Sequence, residues 1–271
     1  MIDPSLKIDR VTLAVGDLDR STDFYRRALG MQVVEEQAGR ALLGPAGALE
    51  LHGIEDPRPT ERTASGLYHV AWLHPTRAAL AYSLRRLVKE GWRLDGASDH
   101  GVSEALYLSD PDGLGIELYA DRPREFWPQA PDGSVAMFTA PLDLASLLDA
   151  GEGEPAPEID PATVIGHVHL KVADVERSLA FYRDALGFEE RAALPGAAFV
   201  AAGGYHHHVG LNAWESRGAP RAAQDTPGLR NVAFSFATAD ALAPLLAAGD
   251  AHGTQQVDVT GPDGEHLTFT A

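Results

Sequence analysis

The stretch IDRVTLAVGDLDRSTDFYRRALG at residues 8–30 decides the fold, because it returns at 165–187 as IGHVHLKVADVERSLAFYRDALG. Each copy opens with alternating apolar residues, Val11, Leu13 and Val15 in the first, which is the period of a strand with one buried face. Asp17 and Asp174 then stand where an N-cap belongs, and Phe24, Tyr25 and Leu29 fall at helical spacing. Gly30 and Gly187 end the two helices as residues able to take positive φ. Short apolar runs split by Gly and Pro follow, such as Ala41-Leu42-Leu43, and read as strands of a small sheet. One strand–helix–strands unit is therefore used twice.

A fainter pair lies between these copies and after them. Gly66-Leu67-Tyr68-His69-Val70-Ala71-Trp72 corresponds to Gly228-Leu229-Arg230-Asn231-Val232-Ala233-Phe234, and helices are expected at 76–90 and 240–248. Each copy ends in a Pro-Asp-Gly turn, Pro111-Asp112-Gly113 or Pro262-Asp263-Gly264, that feeds a last strand. The chain thus predicts an α+β fold of four βαβββ modules at 8–55, 66–120, 165–215 and 228–271. A Pro-rich connector at 121–163, with an acidic stretch at 152–158, separates an N-terminal domain at 1–120 from a C-terminal one at 164–271.

Composition narrows the function. The 271 residues carry 22 Lys and Arg against 39 Asp and Glu, a formal charge of −17 that repels phosphate backbones and anionic lipid, so neither nucleic acid nor a membrane is an expected partner. With no cysteine, a disulfide scaffold, thiolate metal sites and a cysteine nucleophile are excluded, and any metal rests on His, Asp and Glu. No apolar run is long enough to span a bilayer and no apolar stretch follows basic residues near Met1, which makes the cytoplasm the expected location. Exposed sheet edges and the Phe126-Trp127 region leave homo-oligomerisation open.

The four modules, the segment Asp-Leu-Asp-Arg-Ser-x-x-Phe-Tyr at 17–25 and the Asp-Pro-Asp-Gly-x-x-Ile-Glu pattern at 110–117 resemble the vicinal oxygen chelate superfamily. Four segments narrow this resemblance to the CatE-like catechol 2,3-dioxygenases: Gly-Leu-Tyr-His at 66–69, Ser-Glu-Ala-Leu-Tyr-Leu-Ser-Asp-Pro-Asp-Gly at 103–113, Ile-Gly-His-Val-His-Leu at 165–170, and Gly-Gly-Tyr-His-His-His-Val-Gly-Leu-Asn at 203–212. The resemblance spans nearly the whole chain. It implies modules paired into two cup-shaped mixed sheets, with metal ligands early on a module's first strand and on its last strand.

At those places the chain carries Arg10 and Glu50 in module one, His69 and Glu117 in module two, His167 and about Gly210 in module three, and Asn231 and Thr268 in module four. Modules two and three together supply two imidazoles and a carboxylate, the facial triad of non-haem Fe(II) oxygenases, so they are expected to pair; modules one and four form a poor metal site. The expected ligands are His69, Glu117 and His167 for Fe(II), with Mn(II) also compatible. His169, two residues on and on the same strand face as His167, is an alternative ligand or a pocket residue. The resemblance sets His208, the last of the run His206-His207-His208, beside the substrate as an acid–base residue. It sets Tyr107 and His100 against the bound diol.

The activity so implied is extradiol cleavage of catechol or a substituted catechol by O₂ to a muconic semialdehyde, the metal lowering the pKa of the diol oxygens and His208 accepting and returning a proton. The partners are then a small aromatic diol and O₂. Two other readings stay open: a glyoxalase- or lyase-like enzyme using the cup for Lewis-acid proton chemistry with Ni²⁺ or Zn²⁺, and a non-catalytic small-molecule-binding protein.

Overall fold

In a computed structural model that describes residues 1–130, 135–151, 153–154, 156–253 and 255–271, the repeated sequence folds as a repeated structure. Module one comprises β1 (Lys7–Val15), α1 (Leu18–Ala28), β2 (Val33–Gln37), β3 (Arg40–Leu43) and β4 (Leu49–Gly53). Module two comprises β5 (Gly66–His74), α2 (Arg77–Lys89), β6 (Gly96–Asp99), β7 (Ser103–Ser109) and β8 (Gly115–Asp121). The connector adds β9 (Ala140–Pro141) and α3 (Leu144–Asp149). Module three holds β10 (Val164–Lys171), α4 (Val175–Ala180), β11 (Glu189–Leu194), β12 (Ala197–Ala201) and β13 (Val209–Asn212), and module four holds β14 (Gly228–Ser235), β15 (Asp250–Ala251), β16 (Gln256–Thr260) and β17 (His266–Thr270).

The helix starts follow local chemistry. Asp17 accepts a hydrogen bond from the Arg20 amide and Asp174 one from the Arg177 amide, each satisfying a donor that the first helical turn leaves free. Gly30 and Gly187, at φ 72° and 81°, end these helical segments in the left-handed region, the second after a single π turn over Phe181–Ala185. Module four departs from the pattern: its helical segment, Ala239–Ala247, is 3₁₀ rather than α. Pro244 lies inside it, and a proline there removes an amide donor and crowds the preceding turn.

In every module the first strand lies parallel to the last, and modules join through their first strands. β5 runs antiparallel to β10 and β1 antiparallel to β14, so module two meets module three in one cup and module one meets module four in the other. A single pairing, Ile8 with Ile165, links the cups into one continuous sheet. The Pro-Asp-Gly turns lock the modules of each half together. Asp112 accepts from the Gly16 amide and pairs with Arg20, while Asp263 accepts from the Ala173 amide and from Arg177. The Arg-Ser of the repeated motif therefore serves this grip as well as its helix.

Helices cover the convex faces of the cups, and one buried apolar cluster, with Tyr25, Trp72, Tyr182 and Phe269 among its large members, unites them. The connector is more than a tether: β9 pairs with β6, and α3 packs on α2. Pro131, Asp132, Gly133 and Ser134 of the connector, with Glu152 and Pro155 of its acidic stretch, lie outside the described residues. Of the pair considered for self-association, Phe126 is exposed, whereas Trp127 is buried against Tyr205 and His206. Among the described residues no helix is long and apolar enough to cross a membrane.

Candidate metal centre

The cup of modules two and three gathers chemistry at its floor. β5 carries His69, the adjacent β8 carries Glu117, and β10 carries His167 across the antiparallel seam. His69 Nε2 lies 2.9 Å and His167 Nε2 3.1 Å from the same carboxylate oxygen of Glu117, and the two nitrogens are 3.4 Å apart. All three side chains are buried, and they form the one group of three potential metal ligands found among the described residues.

Glycines make this convergence sterically feasible. A bulge between Ile165 and His167 leaves Gly166 unpaired, and a Cβ there would stand 1.7 Å from the Tyr119 hydroxyl oxygen. A Cβ on Gly115 would strike the Tyr68 carbonyl oxygen at 2.0 Å, next to His69. One at Gly210 would enter the His169 ring, with its nearest atom at 2.8 Å.

The electrostatics fit a divalent cation. Burial by itself raises the Glu117 carboxyl, but the imidazoles of His167 and His69 hold it well below the usual carboxylate range. Burial pushes His167 down to about 4 against the pull of Glu117, so its ring is neutral at pH 7 with a lone pair to share. Two imidazoles and a carboxylate, buried and aimed at one point, form a donor set whose buried carboxylate is stabilised when a cation meets it. This donor set suits a metal that keeps open positions for other ligands.

The other expected residues take distinct places. His169 stays outside the three-residue group: its Nε2 lies 3.1 Å from the Asn212 amide nitrogen, and its ring packs edge-on to His69 in the cavity wall. Tyr107 and His100 both line the cavity and bond to each other. The Phe138 carbonyl can only accept, so His100 Nδ1 donates to it at 2.8 Å, and His100 Nε2 lies 2.8 Å from the Tyr107 hydroxyl oxygen. Burial next to Glu117 raises the Tyr107 phenol well above its ordinary value, keeping that proton in place.

His208 turns away from the position expected of it. Its Nδ1 accepts from the Ala202 amide at 3.2 Å, and it is absent from the cavity lining. The residue of the run that reaches the cavity is His207, whose ring centroid lies 4.0 Å from that of His167. The cause is local backbone. The run precedes β13 in a segment that bends at His206 and His208, so the alternation of the strand does not extend back through it. Burial pushes His207 well below the usual imidazole value and His208 down to about 4, with neighbouring histidines adding to both shifts.

The cavity above the donors measures about 940 Å³ and is walled by Tyr68, Phe199 and Trp214 on one side and by Met137 and Phe138 on another. Sequence reasoning missed these last two because they belong to the connector, and no periodicity marks a loop residue that folds back over a site. A profile of the Glyoxalase/Bleomycin resistance protein/Dioxygenase superfamily matches residues 7–118 and 164–271.

The chain belongs to this superfamily.

Among similar superfamily members, a catechol-2,3-dioxygenase of Bacillus subtilis (strain 168) is 43% identical over 223 residues, covering 80% of this chain and 78% of the relative. A biphenyl-2,3-diol 1,2-dioxygenase of Rhodococcus globerulus is 29% identical over 147 residues, covering 50% of this chain and 70% of the relative. The crystal structure of glyoxalase I from Zea mays superposes with a TM-score of 0.58 at 18% identity, covering 98% of this chain and 92% of that one; this likeness speaks for the vicinal oxygen chelate fold alone.

Proposed function

We propose that the protein is an Fe(II)-dependent extradiol dioxygenase that cleaves catechol or a substituted catechol beside its hydroxyls to give a muconic semialdehyde. The observation that carries this reading is the convergence of His69, His167 and Glu117 at the floor of an aromatic-walled cavity, supported by the catechol-2,3-dioxygenase relative. When bound there, the metal supplies Lewis acidity toward the two diol oxygens and electrons toward O₂. Mn(II) suits the same donors.

The remaining roles belong to the chain's own side chains. His207, neutral and on the cavity wall, accepts the proton that the diol gives up on binding and returns it during ring cleavage. Tyr107, held by His100 and through it by the Phe138 carbonyl, presents a fixed phenol oxygen to the diol. Tyr68, Phe199 and Trp214 offer aromatic surface to the ring of the diol. A cavity of about 940 Å³ is much larger than catechol, so substituted catechols fit the site as well.

The test is O₂ uptake with catechol after anoxic loading with Fe²⁺, with absorbance followed for a yellow semialdehyde. Catechol-dependent uptake with colour is the expected result. Bound iron without uptake would overturn the dioxygenase reading in favour of Lewis-acid proton chemistry or plain ligand binding, and failure to bind iron at all would overturn the metal assignment.

A further inference from the structure

Behind His207 runs a chain of hydrogen bonds that ends near the surface. Asp121, the last residue of β8, lies on the same strand face as Glu117, with Tyr119 between them. Asp121 Oδ1 is 3.0 Å from His206 Nε2, and His206 Nδ1 is 2.8 Å from His207 Nδ1. We propose that Asp121 and His206 are positioning residues that fix the tautomer of His207, so that its Nε2 offers a lone pair for the substrate's proton. The inference rests on the dioxygenase reading and on His207 as its proton acceptor.

An ionised carboxylate only accepts, so His206 donates to Asp121 from Nε2. Where His206 carries only that one ring proton, its Nδ1 is bare, which leaves His207 Nδ1 as the donor of the bond between the two rings. A neutral His207 that carries its proton on Nδ1 is bare at Nε2, an atom with no hydrogen bond among the described residues. The orientation of the base is thus set two residues away from it, as a buried carboxylate sets the imidazole in a hydrolase triad.

The carboxylate is held on both sides. Asp121 Oδ2 accepts from the Tyr205 hydroxyl at 2.9 Å, and the Tyr205 oxygen in turn accepts from the Tyr119 hydroxyl at 2.8 Å. Tyr119 is fully buried beside the His167 ring, and its hydroxyl occupies the space that Gly166 leaves free. The indole of Trp127 packs edge-on to His206, which is 1% exposed, so water does not compete for these bonds. Asp121 retains 23% side-chain exposure and forms the outer end of the chain.

Asp121→Asn preserves shape and inverts polarity. With its carbonyl oxygen taken by the Tyr205 hydroxyl, the amide would donate to His206 Nε2, His206 would donate from Nδ1, and His207 would carry its proton on Nε2, where it no longer accepts. Long-range ¹H–¹⁵N correlation on histidine-labelled protein loaded with diamagnetic Zn²⁺ reads these tautomers directly, with His207 assigned through His207→Gln. The expected result is a proton on His207 Nδ1 in the parent and on Nε2 in Asp121→Asn. A His207 Nε2 proton in the parent, as a His206 imidazolium would impose, or the same tautomer in both proteins would overturn the proposal.

Kinetics separate this inference from the reading beneath it. In Fe²⁺-loaded protein, Asp121→Asn is expected to lower kcat about 10–100-fold, the usual cost of losing a group that orients a site residue, with iron content unchanged. KM for catechol should move less than about twofold, because the change acts on proton transfer and not on binding. Full turnover in His207→Gln would sink the assignment of the base itself. Turnover lost in His207→Gln but kept in Asp121→Asn would leave the base standing and sink the positioning role. His206→Phe, which removes the acceptor for His207 Nδ1, is expected to lower kcat alike and serves if Asp121→Asn does not fold; full kcat in that variant also counts against the proposal.

Discussion

The two cups share a backbone plan and differ in the side chains at their floors. Register and repeat align His167 with Arg10, His69 with Asn231 and Glu117 with Thr268. In the first cup the three groups converge, and none of them is a permanent cation. In the second, Arg10 brings its own: it stands 3.5 Å from Glu50, which also pairs with Arg40 at 2.5 Å and His52 at 2.9 Å. Thr268 donates to the Asn231 carbonyl oxygen at 3.3 Å, closing the set. An internal cation and a threonine satisfy the polar atoms that the other cup leaves facing each other, so one cup calls for a metal and its sibling does not.

The largest effect should come from making the first cup resemble the second. Glu117→Thr is expected to reduce bound iron to background in metal analysis and abolish catechol-dependent O₂ uptake, because two imidazoles alone neither neutralise the ion nor complete the facial set. Iron retained at full stoichiometry would show that the carboxylate is dispensable. The reverse experiment rebuilds the other cup: Arg10→His, Asn231→His and Thr268→Glu, made together, should bring a second equivalent of Zn²⁺ into the protein. If the stoichiometry stays at one, the strands of that cup do not hold the three positions close enough, and backbone spacing rather than side-chain identity separates the two sites.

A third comparison lies within the histidine run. His207→Gln should keep iron and lose about 10²–10⁴-fold in kcat, the range carried by a general base. His208→Gln removes a hydrogen bond to the Ala202 amide and should cost about 1 kcal/mol of stability with turnover near the parent's. Steady-state kinetics on the two variants decide between them; the opposite pattern would return the acid–base role to His208.

That run marks where the sequence stops being legible. The modules could be read because a repeated motif keeps its strand period, its caps at Asp17 and Asp174 and its glycine stops. Likewise, His69, Glu117 and His167 could be named as candidates because the family resemblance points to a module's first and last strands, and those strands are legible in the sequence. His207 lies in a bent segment and has no such guide. Phe138 acts through a backbone carbonyl in the connector, a role that no side chain announces. The chain from Asp121 through His206 joins strand and loop residues from different modules, and only their approach in space makes it visible.

The smallest predicted effect concerns one more aligned pair, His74 at the end of β5 and Phe236 just past β14. Both are buried. Burial, aided by Arg86, pushes the His74 imidazole from 6.5 down to about 4. Above pH 6.5 the ring is neutral folded or unfolded and contributes nothing to pH dependence. As the pH falls from 6.5 toward 4, the unfolded chain takes up a proton that the folded one refuses, and stability drops by about 3 kcal/mol across that window. Asp110 works in the opposite direction, because burial raises its carboxyl from 3.8 to about 6 and acidification below that value favours the fold. Since His74→Phe copies the other cup and leaves Asp110 in place, the Asp110 contribution cancels in the difference between variant and parent. Urea unfolding of the metal-free proteins should show that difference moving in the variant's favour as the pH is lowered from about 7 to about 4, where the imidazole's contribution saturates. Parallel curves over the whole range would mean that His74 takes up its proton in the folded state too, and that the imidazole and the phenyl ring are equivalent at this position.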